Sequence, residues 1–149
     1  MLSDDEKQQI DGALQVYRRN RAVIPEALRT VQQSRGWVSD EAVKEIAEYL
    51  ELSPSEVDST ATFYNLIFRK PVGRHVILIC DSVSCWIMGY DRIREHLIAK
   101  LGIQPGETTF DRRFTLLPMV CLGACDRAPA MMIDDDLHGP LTPEKVDEV

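Results

Sequence analysis

With 149 residues, 44% of them hydrophobic and 28% charged, the chain is long enough for one compact domain or for a small domain with a helical extension. Its formal net charge of −7 argues against a nucleic-acid-binding protein, because such proteins present a basic face that replaces counterions on phosphate. No apolar run approaches the roughly 20 residues that a membrane-spanning helix requires, so we expect no direct membrane insertion.

The first two predicted helices are marked by their ends. Ser3 followed by Glu6 is a capping-box pattern, which predicts a helix from that point to about Tyr17. Pro25 is predicted to be the first residue of the second helix, because proline is favoured at that position, and Gly36 is predicted to end it. The N-terminus is acidic and has no apolar core, so we expect no signal peptide.

Two further helices complete a predicted N-terminal bundle. Ser39 is expected to cap the third helix, whose apolar residues follow helical spacing: Val43, Ile46, Ala47 and Leu50. Ser53 opens the fourth helix with a second capping box, and Pro54 stands at the favoured first position. A helix-turn-helix DNA-binding unit is disfavoured, because the segment after Ser53 carries acidic residues where a recognition helix would carry arginines.

A change of pattern divides the chain near residue 70. Residues 69–73 contain proline and glycine, and an apolar, β-rich run follows them. We therefore predict an N-terminal helical bundle at residues 1–70 and a small domain of mixed strands and helices at residues 71–149. This combination places the chain in the α+β class.

The C-terminal part is predicted to combine strands and helices around a central sheet. The apolar runs and turn residues predict, in order, a strand at 75–80, a helix at 85–101, strands at 114–120 and 130–133, a hairpin at 134–139 and a final helix from Thr142. Gly102 is the expected end of the long helix.

The four cysteines form two close pairs, and each pair begins at the end of a predicted strand. Cys80 and Cys85 have a Cys-x4-Cys spacing, and Cys121 and Cys125 have a Cys-x3-Cys spacing. Four thiolates directed to one place bind either zinc or an iron–sulfur cluster. Nothing in the sequence directs secretion, so metal or redox chemistry is favoured over structural disulfide bonds.

The spacing favours an iron–sulfur cluster over zinc. Structural zinc sites mostly use Cys-x2-Cys knuckles, whereas a four-residue first spacing also occurs in plant-type ferredoxins. We expect Cys80 and Cys85 to bind one iron of a 2Fe–2S cluster, and Cys121 and Cys125 to bind the other. A structural zinc module, a thiol–disulfide oxidoreductase and a free-standing ferredoxin are the alternatives.

Residues beside the cysteines are compatible with sulfur ligation. Cys85 lies near the predicted start of a helix, where the helix dipole is expected to stabilise a thiolate, and Gly123 allows the backbone to approach sulfide closely. Asp81 and Asp126 flank the cysteine loops, and their negative charge is expected to lower the reduction potential. Trp86 is predicted to shield the cluster or to contact a partner.

Longer motifs around the cysteines and upstream of them resemble those of a known family. They are Cys80-Asp-Ser-Val-Ser-Cys85, Leu117-Pro118, Cys121-Leu-Gly-Ala-Cys125-Asp-Arg-Ala-Pro129, Arg35-Gly36-Trp37-Val38 and Ala61-Thr62-Phe63-Tyr64. Spread over nearly the whole chain, they resemble the small 2Fe–2S subunits of bacterial respiratory NADH:quinone oxidoreductase, which are thioredoxin-like ferredoxins. The resemblance implies a thioredoxin-like domain behind the helical bundle and four cysteine ligands.

The resemblance also implies a function and a partner. It implies a non-catalytic, one-electron carrier in a hetero-oligomer, which accepts an electron from the reduced flavin of a subunit that binds FMN and NADH. This chain itself has no visible nucleotide-binding motif. The implied location is cytoplasmic, peripheral to the inner membrane through the complex. Related subunits serve NAD-linked hydrogenases and formate dehydrogenases, so the motif specifies the electron carrier more firmly than the host enzyme.

Overall fold

The computed structural model describes residues Met1–Val149, which divide into two compact units, Met1–Pro71 and Val72–Val149. Each unit encloses its own core of buried apolar side chains. None of the helices combines the length and the apolar character that crossing a membrane requires. The division into a helical bundle at residues 1–70 and a second domain at residues 71–149 stays a prediction.

The first unit consists of four helices, as predicted: α1 (Asp4–Val16), α2 (Asn20–Arg35), α3 (Asp40–Tyr49) and α4 (Pro54–Phe63). Ser3 and Ser53 each accept a hydrogen bond from the backbone three residues later, and both capping boxes are complete. Ser39 caps α3 in the same way. These caps satisfy backbone N–H groups that have no partner within the helix, which is why short polar sequences define the helix starts.

The start of α2 differs from the prediction. The helix begins at Asn20, so Pro25 lies inside it and is not its first residue. A proline at this position removes one backbone hydrogen bond. Val23 and Ile24, which precede the proline, are nevertheless almost fully buried in the core of the unit. Packing of these two side chains therefore outweighs the local cost of the proline.

An ion pair between a buried carboxylate and a partly exposed arginine joins α1 to the end of α2. The side chain of Glu6 is only 3% exposed, and Arg35 donates to both of its carboxylate oxygens at 2.9 Å. The Ser34 hydroxyl and the Ser3 backbone N–H also donate to this carboxylate, and Arg35 makes a second pair with Glu45 at 2.8 Å. The bonds from Arg35 lower the pKa of Glu6 to about 2, although burial alone would raise it.

The second unit contains a four-stranded mixed sheet and three helices. Its elements are β1 (His75–Cys80), α5 (Val83–Ile87), α6 (Tyr90–Leu101), β2 (Phe114–Met119), β3 (Met131–Ile133), β4 (Asp136–His138) and α7 (Pro143–Glu148). The strand order is β2-β1-β3-β4, in which β1 is parallel to β2 and antiparallel to β3. A short 3-10 helix at Cys125–Arg127 connects β2 to β3. This mixed sheet with helices agrees with the predicted fold class.

The helix predicted for residues 85–101 is in fact two helices. Gly89 separates α5 from α6 and has a φ of +112°. Glycine enters this left-handed region without the steric cost of a Cβ atom, so the chain turns sharply here. Cys85 therefore lies on its own short helix, α5, and the long amphipathic helix α6 starts only at Tyr90. The predicted strands and hairpin agree with the structure to within a residue or two.

Close packing at Gly139 predicts a sensitive position beside the second cysteine pair. A Cβ atom added at Gly139 would collide with the backbone oxygen of Arg127, in the 3-10 helix that begins at Cys125. Gly139→Ala is expected to lower the free energy of unfolding by about 1–3 kcal/mol, as overpacking does elsewhere. Urea denaturation followed by circular dichroism measures this change.

The matched control is Gly12→Ala in α1, where no atom lies within 4 Å of the added Cβ. Alanine in a helix is expected to be neutral or to stabilise by up to about 1 kcal/mol. Equal destabilisation by both substitutions would show that contact with Arg127 is not the cause.

Candidate metal centre

The parallel strands β1 and β2 bring both cysteine pairs to the same edge of the sheet. Cys80 is the last residue of β1 and stands opposite Met119, the last residue of β2, in the strand register. The Asp81 backbone N–H donates to the Met119 carbonyl at 3.0 Å, which holds the two strand ends together. Cys121 follows only two residues after Met119. The prediction that each pair begins at a strand end is thus confirmed.

The first pair is buried. Cys80 is 3% exposed and Cys85 is 1% exposed, and both belong to the buried core of the second unit. Cys85 reaches this position because α5 turns the chain back over the end of β1. The Cys80 backbone N–H donates to the carbonyl of Ala130, next to β3, at 3.1 Å. Two strands and a short helix therefore fix the positions of these two sulfur atoms.

The second pair is exposed. Cys121 and Cys125 both lie at the protein surface, in the loop and 3-10 helix that follow β2. The Cys121 Sγ accepts a hydrogen bond from the Gly123 backbone N–H at 3.3 Å. Gly123 has a φ of +68°, so this tight turn uses a conformation that glycine adopts readily. Ala124, the neighbour of Cys125, belongs to the same buried core as Cys80 and Cys85.

Burial changes the acidity of the buried pair. It raises the pKa of Cys85 to about 11, and the neighbouring thiols of Cys80 and Cys125 act in the same direction. The hydrogen bond from Ala130 opposes this rise without cancelling it. Burial is the main cause of this rise, and the expectation that the helix start stabilises a Cys85 thiolate stays a prediction. A metal bound by Cys85 has to displace its proton.

The chemistry of the four donors fits a 2Fe–2S cluster. All four cysteines are free thiols, and no three His, Cys, Asp or Glu side chains are placed to hold a single metal ion. A 2Fe–2S cluster takes two thiolates on each of its two irons, so its ligands surround two metal positions. The assignment of Cys80, Cys85, Cys121 and Cys125 as these ligands stays a prediction, as does the influence of the exposed Asp81 and Asp126 on the potential.

Large apolar side chains are exposed around the cysteines. Five of them, each more than half exposed, form what we call the apolar patch: Val83, Trp86, Ile87, Met88 and Val120. The first four lie on or just after α5, and Val120 directly precedes Cys121. Both segments leave the same end of the β1–β2 pair. Surface concentrations of large apolar groups mark interaction sites.

Sequence reasoning singled out only Trp86 from this patch. The signal that could have revealed the rest was the composition of residues 83–88, Val-Ser-Cys-Trp-Ile-Met. A short amphipathic helix buries one face, and this segment has apolar residues on more than one face. Cys85 occupies the buried face, so the neighbouring apolar residues must point outward.

Comparisons with known proteins agree with the chemistry of this centre. The family model for thioredoxin-like [2Fe-2S] ferredoxins matches residues 10–149. The chain is 53% identical over 148 residues to the E subunit of NADH-quinone oxidoreductase from Escherichia coli (strain K12), covering 99% of this chain and 89% of that protein. The protein of the same name from Pseudomonas aeruginosa is 49% identical over 146 residues, covering 98% and 88%.

A solved structure also resembles the chain. An NAD+-reducing [NiFe]-hydrogenase in the air-oxidized state matches with a TM-score of 0.69 and 31% sequence identity. The match covers 81% of this chain and 21% of the hydrogenase chain, so this chain spans about a fifth of that protein's length.

Proposed function

Because the chain belongs to the thioredoxin-like [2Fe-2S] ferredoxins and, within them, to the E subunits of NADH-quinone oxidoreductase, we propose that it carries single electrons from the reduced flavin of a partner subunit. This partner binds FMN and NADH, and the chain itself is a non-catalytic component of the complex. Its proposed location is cytoplasmic, at the inner membrane through that complex. The observation that carries the proposal is that both cysteine pairs follow the same end of strands β1 and β2, next to the apolar patch.

Of the four proposed ligands, one cysteine pair is buried and the other is exposed. When bound, a 2Fe–2S cluster takes up and returns one electron at a time. Cys80 and Cys85 hold one iron in the proposed arrangement, and their burial excludes water from that side. Cys121 and Cys125 hold the other iron at the surface. An electron donor can therefore approach from the exposed side without any rearrangement of the core.

The apolar patch is the proposed contact surface for the flavin-binding partner. Trp86 is 59% exposed and Val120 is 72% exposed, although burying large apolar side chains is favourable. Trp is also enriched at the energetically important positions of interfaces. A partner that covers this patch lies directly over the exposed cysteine pair, which shortens the path for the electron and removes water from it.

The similarity to the hydrogenase supports a second candidate for the complex that contains this chain. That likeness has 31% identity, whereas the identity to the corresponding E. coli protein of NADH-quinone oxidoreductase is 53% over 99% of this chain. The quinone-linked complex is therefore the proposed host, and an NAD-linked hydrogenase or formate dehydrogenase is the alternative.

The proposal is tested with protein purified without oxygen. The expected results are two irons and two acid-labile sulfides per chain, and an electron paramagnetic resonance signal after chemical reduction. NADH is expected to produce the same signal only when the flavin-binding subunit is present. Zinc without sulfide would support a structural zinc module, and reduction by NADH alone would contradict the need for a partner.

Trp86→Ala tests the contact surface. It is expected to weaken binding of the flavin-binding subunit by about 30-fold, which corresponds to about 2 kcal/mol at an interface hot spot, while the iron content is unchanged. Isothermal titration calorimetry measures the affinity.

The matched control is Phe110→Ala. Phe110 is a fully exposed aromatic residue in the loop before β2, at the opposite end of that strand from the cysteines. Its removal is expected to leave the affinity unchanged. A loss of affinity with Phe110→Ala and none with Trp86→Ala would place the contact elsewhere.

A further inference from the structure

The two cysteine pairs differ in how a metal donor can reach them. Cys80 and Cys85 are 3% and 1% exposed, whereas Cys121 and Cys125 lie at the surface. Reactions of cysteine with an incoming partner depend on access to the sulfur atom. A donor larger than a metal ion therefore meets Cys121 and Cys125 first.

The buried pair is also held more firmly. The Cys80 backbone N–H donates to the Ala130 carbonyl at 3.1 Å, and Cys80 is part of the β1–β2 ladder. Cys85 lies on the buried side of α5, in the same core as Cys80. Neither sulfur can move outward to a donor without disturbing the sheet or the helix.

The exposed pair lies on an open turn. No atom lies within 4 Å of the position that a Cβ atom at Gly123 would occupy. The Cys121 Sγ accepts a hydrogen bond from the N–H of Gly123, two residues away. On the other side of Gly123, Ala124 is 7% exposed and anchors the segment in the core. Cys121 is therefore open to an incoming donor, while Ala124 holds the base of the turn.

We propose that this chain receives a preassembled 2Fe–2S cluster from a thiol-ligated donor, through the edge formed by Cys121 and Cys125, and that Cys80 and Cys85 become ligands last. This inference rests on the proposed function, since it concerns the same cluster. In each step one cysteine forms a bond to iron, one donor thiolate leaves, and the cysteine proton passes to the departing thiolate. The oxidation states of the irons do not change, so no oxidant or reductant is required.

This order has a consequence for assembly of the complex. The apolar patch borders the same edge, because Val120 directly precedes Cys121 and α5 begins at Val83, shortly after Cys80. A partner that covers the apolar patch blocks access of the cluster donor to Cys121 and Cys125. Cluster transfer into this chain therefore precedes docking of the flavin-binding subunit.

Four single substitutions test the order of ligation in the full chain: Cys80→Ser, Cys85→Ser, Cys121→Ser and Cys125→Ser. Each metal-free variant is mixed without oxygen with a glutathione-coordinated 2Fe–2S cluster, and the products are weighed by native mass spectrometry. In the variants at Cys80 and Cys85, cluster transfer is expected to stop before the last ligand exchange, so that the chain carries the cluster and one retained glutathione. The variants at Cys121 and Cys125 are expected to capture about tenfold less cluster or worse.

A second measurement needs no substitution, which guards against misfolding of the buried variants. Unsubstituted chain is alkylated for a short time at successive points of cluster transfer, and the reactivity of the exposed Cys121 and Cys125 is compared with the number of glutathiones still on the cluster, read by native mass spectrometry. Both cysteines are expected to be protected while two glutathiones are still retained. Glutathione loss that leaves Cys121 and Cys125 reactive, or glutathione retained only by the Cys121 and Cys125 variants, would overturn the inference. Failure of the unsubstituted chain to accept any cluster would instead contradict the proposed function.

Discussion

Cys121→Ser is expected to remove almost all of the iron and acid-labile sulfide that co-purify with the chain. Hydroxyl oxygen is a harder and weaker ligand for iron than thiolate, and Cys121 lies at the surface, where water competes for the vacated position. The reduced protein is expected to lose its electron paramagnetic resonance signal at the same time. Metal and sulfide analysis of anaerobically purified protein measures the loss.

Asp126→Asn is the matched control for this substitution. Asp126 is exposed and directly follows Cys125. Its removal is expected to leave the cluster content unchanged and to raise the midpoint potential, because a negative charge next to the site is lost. Full iron and sulfide content in Cys121→Ser, together with an unchanged electron paramagnetic resonance spectrum, would show that Cys121 is not a ligand. An unchanged potential in Asp126→Asn would remove the predicted role of that carboxylate.

Glu6→Gln is expected to lower the free energy of unfolding by about 1.5–3 kcal/mol, the typical contribution of a hydrogen bond to a charged group. The substitution removes the charge that Arg35 meets at 2.9 Å on both carboxylate oxygens. Arg35 keeps its ion pair with Glu45, but at position 6 it then meets a neutral amide instead of a carboxylate. Urea denaturation at neutral pH measures the difference.

Glu6 is also expected to make the stability of the fold depend on pH. The pKa of Glu6 is lowered from 4.5 to about 2 in the folded chain, mainly by the bonds from Arg35. A group with a lowered folded pKa stabilises fully above its unfolded pKa and loses that contribution as the pH falls to the folded pKa. Stability is therefore expected to fall between pH 4.5 and about pH 2, and this part of the decline is expected to be absent in Glu6→Gln.

Glu48→Gln is the matched control in the same helical unit. Glu48 is exposed on α3, and a surface substitution of this kind is expected to change stability by less than about 0.5 kcal/mol. An equal acid-dependent decline in the unsubstituted chain and in Glu6→Gln would show that other groups control the acid sensitivity.

Helix starts were predictable because their signals are local. Ser3, Ser39 and Ser53 each satisfy backbone donors only a few residues away, so the sequence around them is sufficient. The start of α2 was not predictable in this way. It depends on burial of Val23 and Ile24 against other helices, and this tertiary packing overrides the local preference of Pro25.

The break at Gly89 shows a second limit of sequence patterns. Apolar spacing continues from α5 into α6, so periodicity alone predicts one helix. The glycine adopts a φ of +112°, and sequence alone does not distinguish this from a glycine tolerated within a helix. The consequence is functional, because the break gives Cys85 its own short helix.

The candidate ligands could be predicted, but their unequal exposure could not. The spacing of the four cysteines and the strands before them are visible in the sequence. Both pairs follow strand ends, yet Cys85 is turned under α5 whereas Cys121 stays in an open loop. That difference depends on packing of Cys85 in one core with Ala130, which is far from it in sequence.

The strand order leaves β2 and β4 on the outside of the sheet. β2 contains Pro118, which has no backbone N–H, and its residue Thr115 is already bridged to Thr108 of the preceding loop. β4 has only three residues and begins with the charged Asp136. Short, charged or proline-containing outer strands are poor templates for another chain. Newly made copies are therefore protected from stacking into aggregates during the time before they are incorporated into a larger assembly.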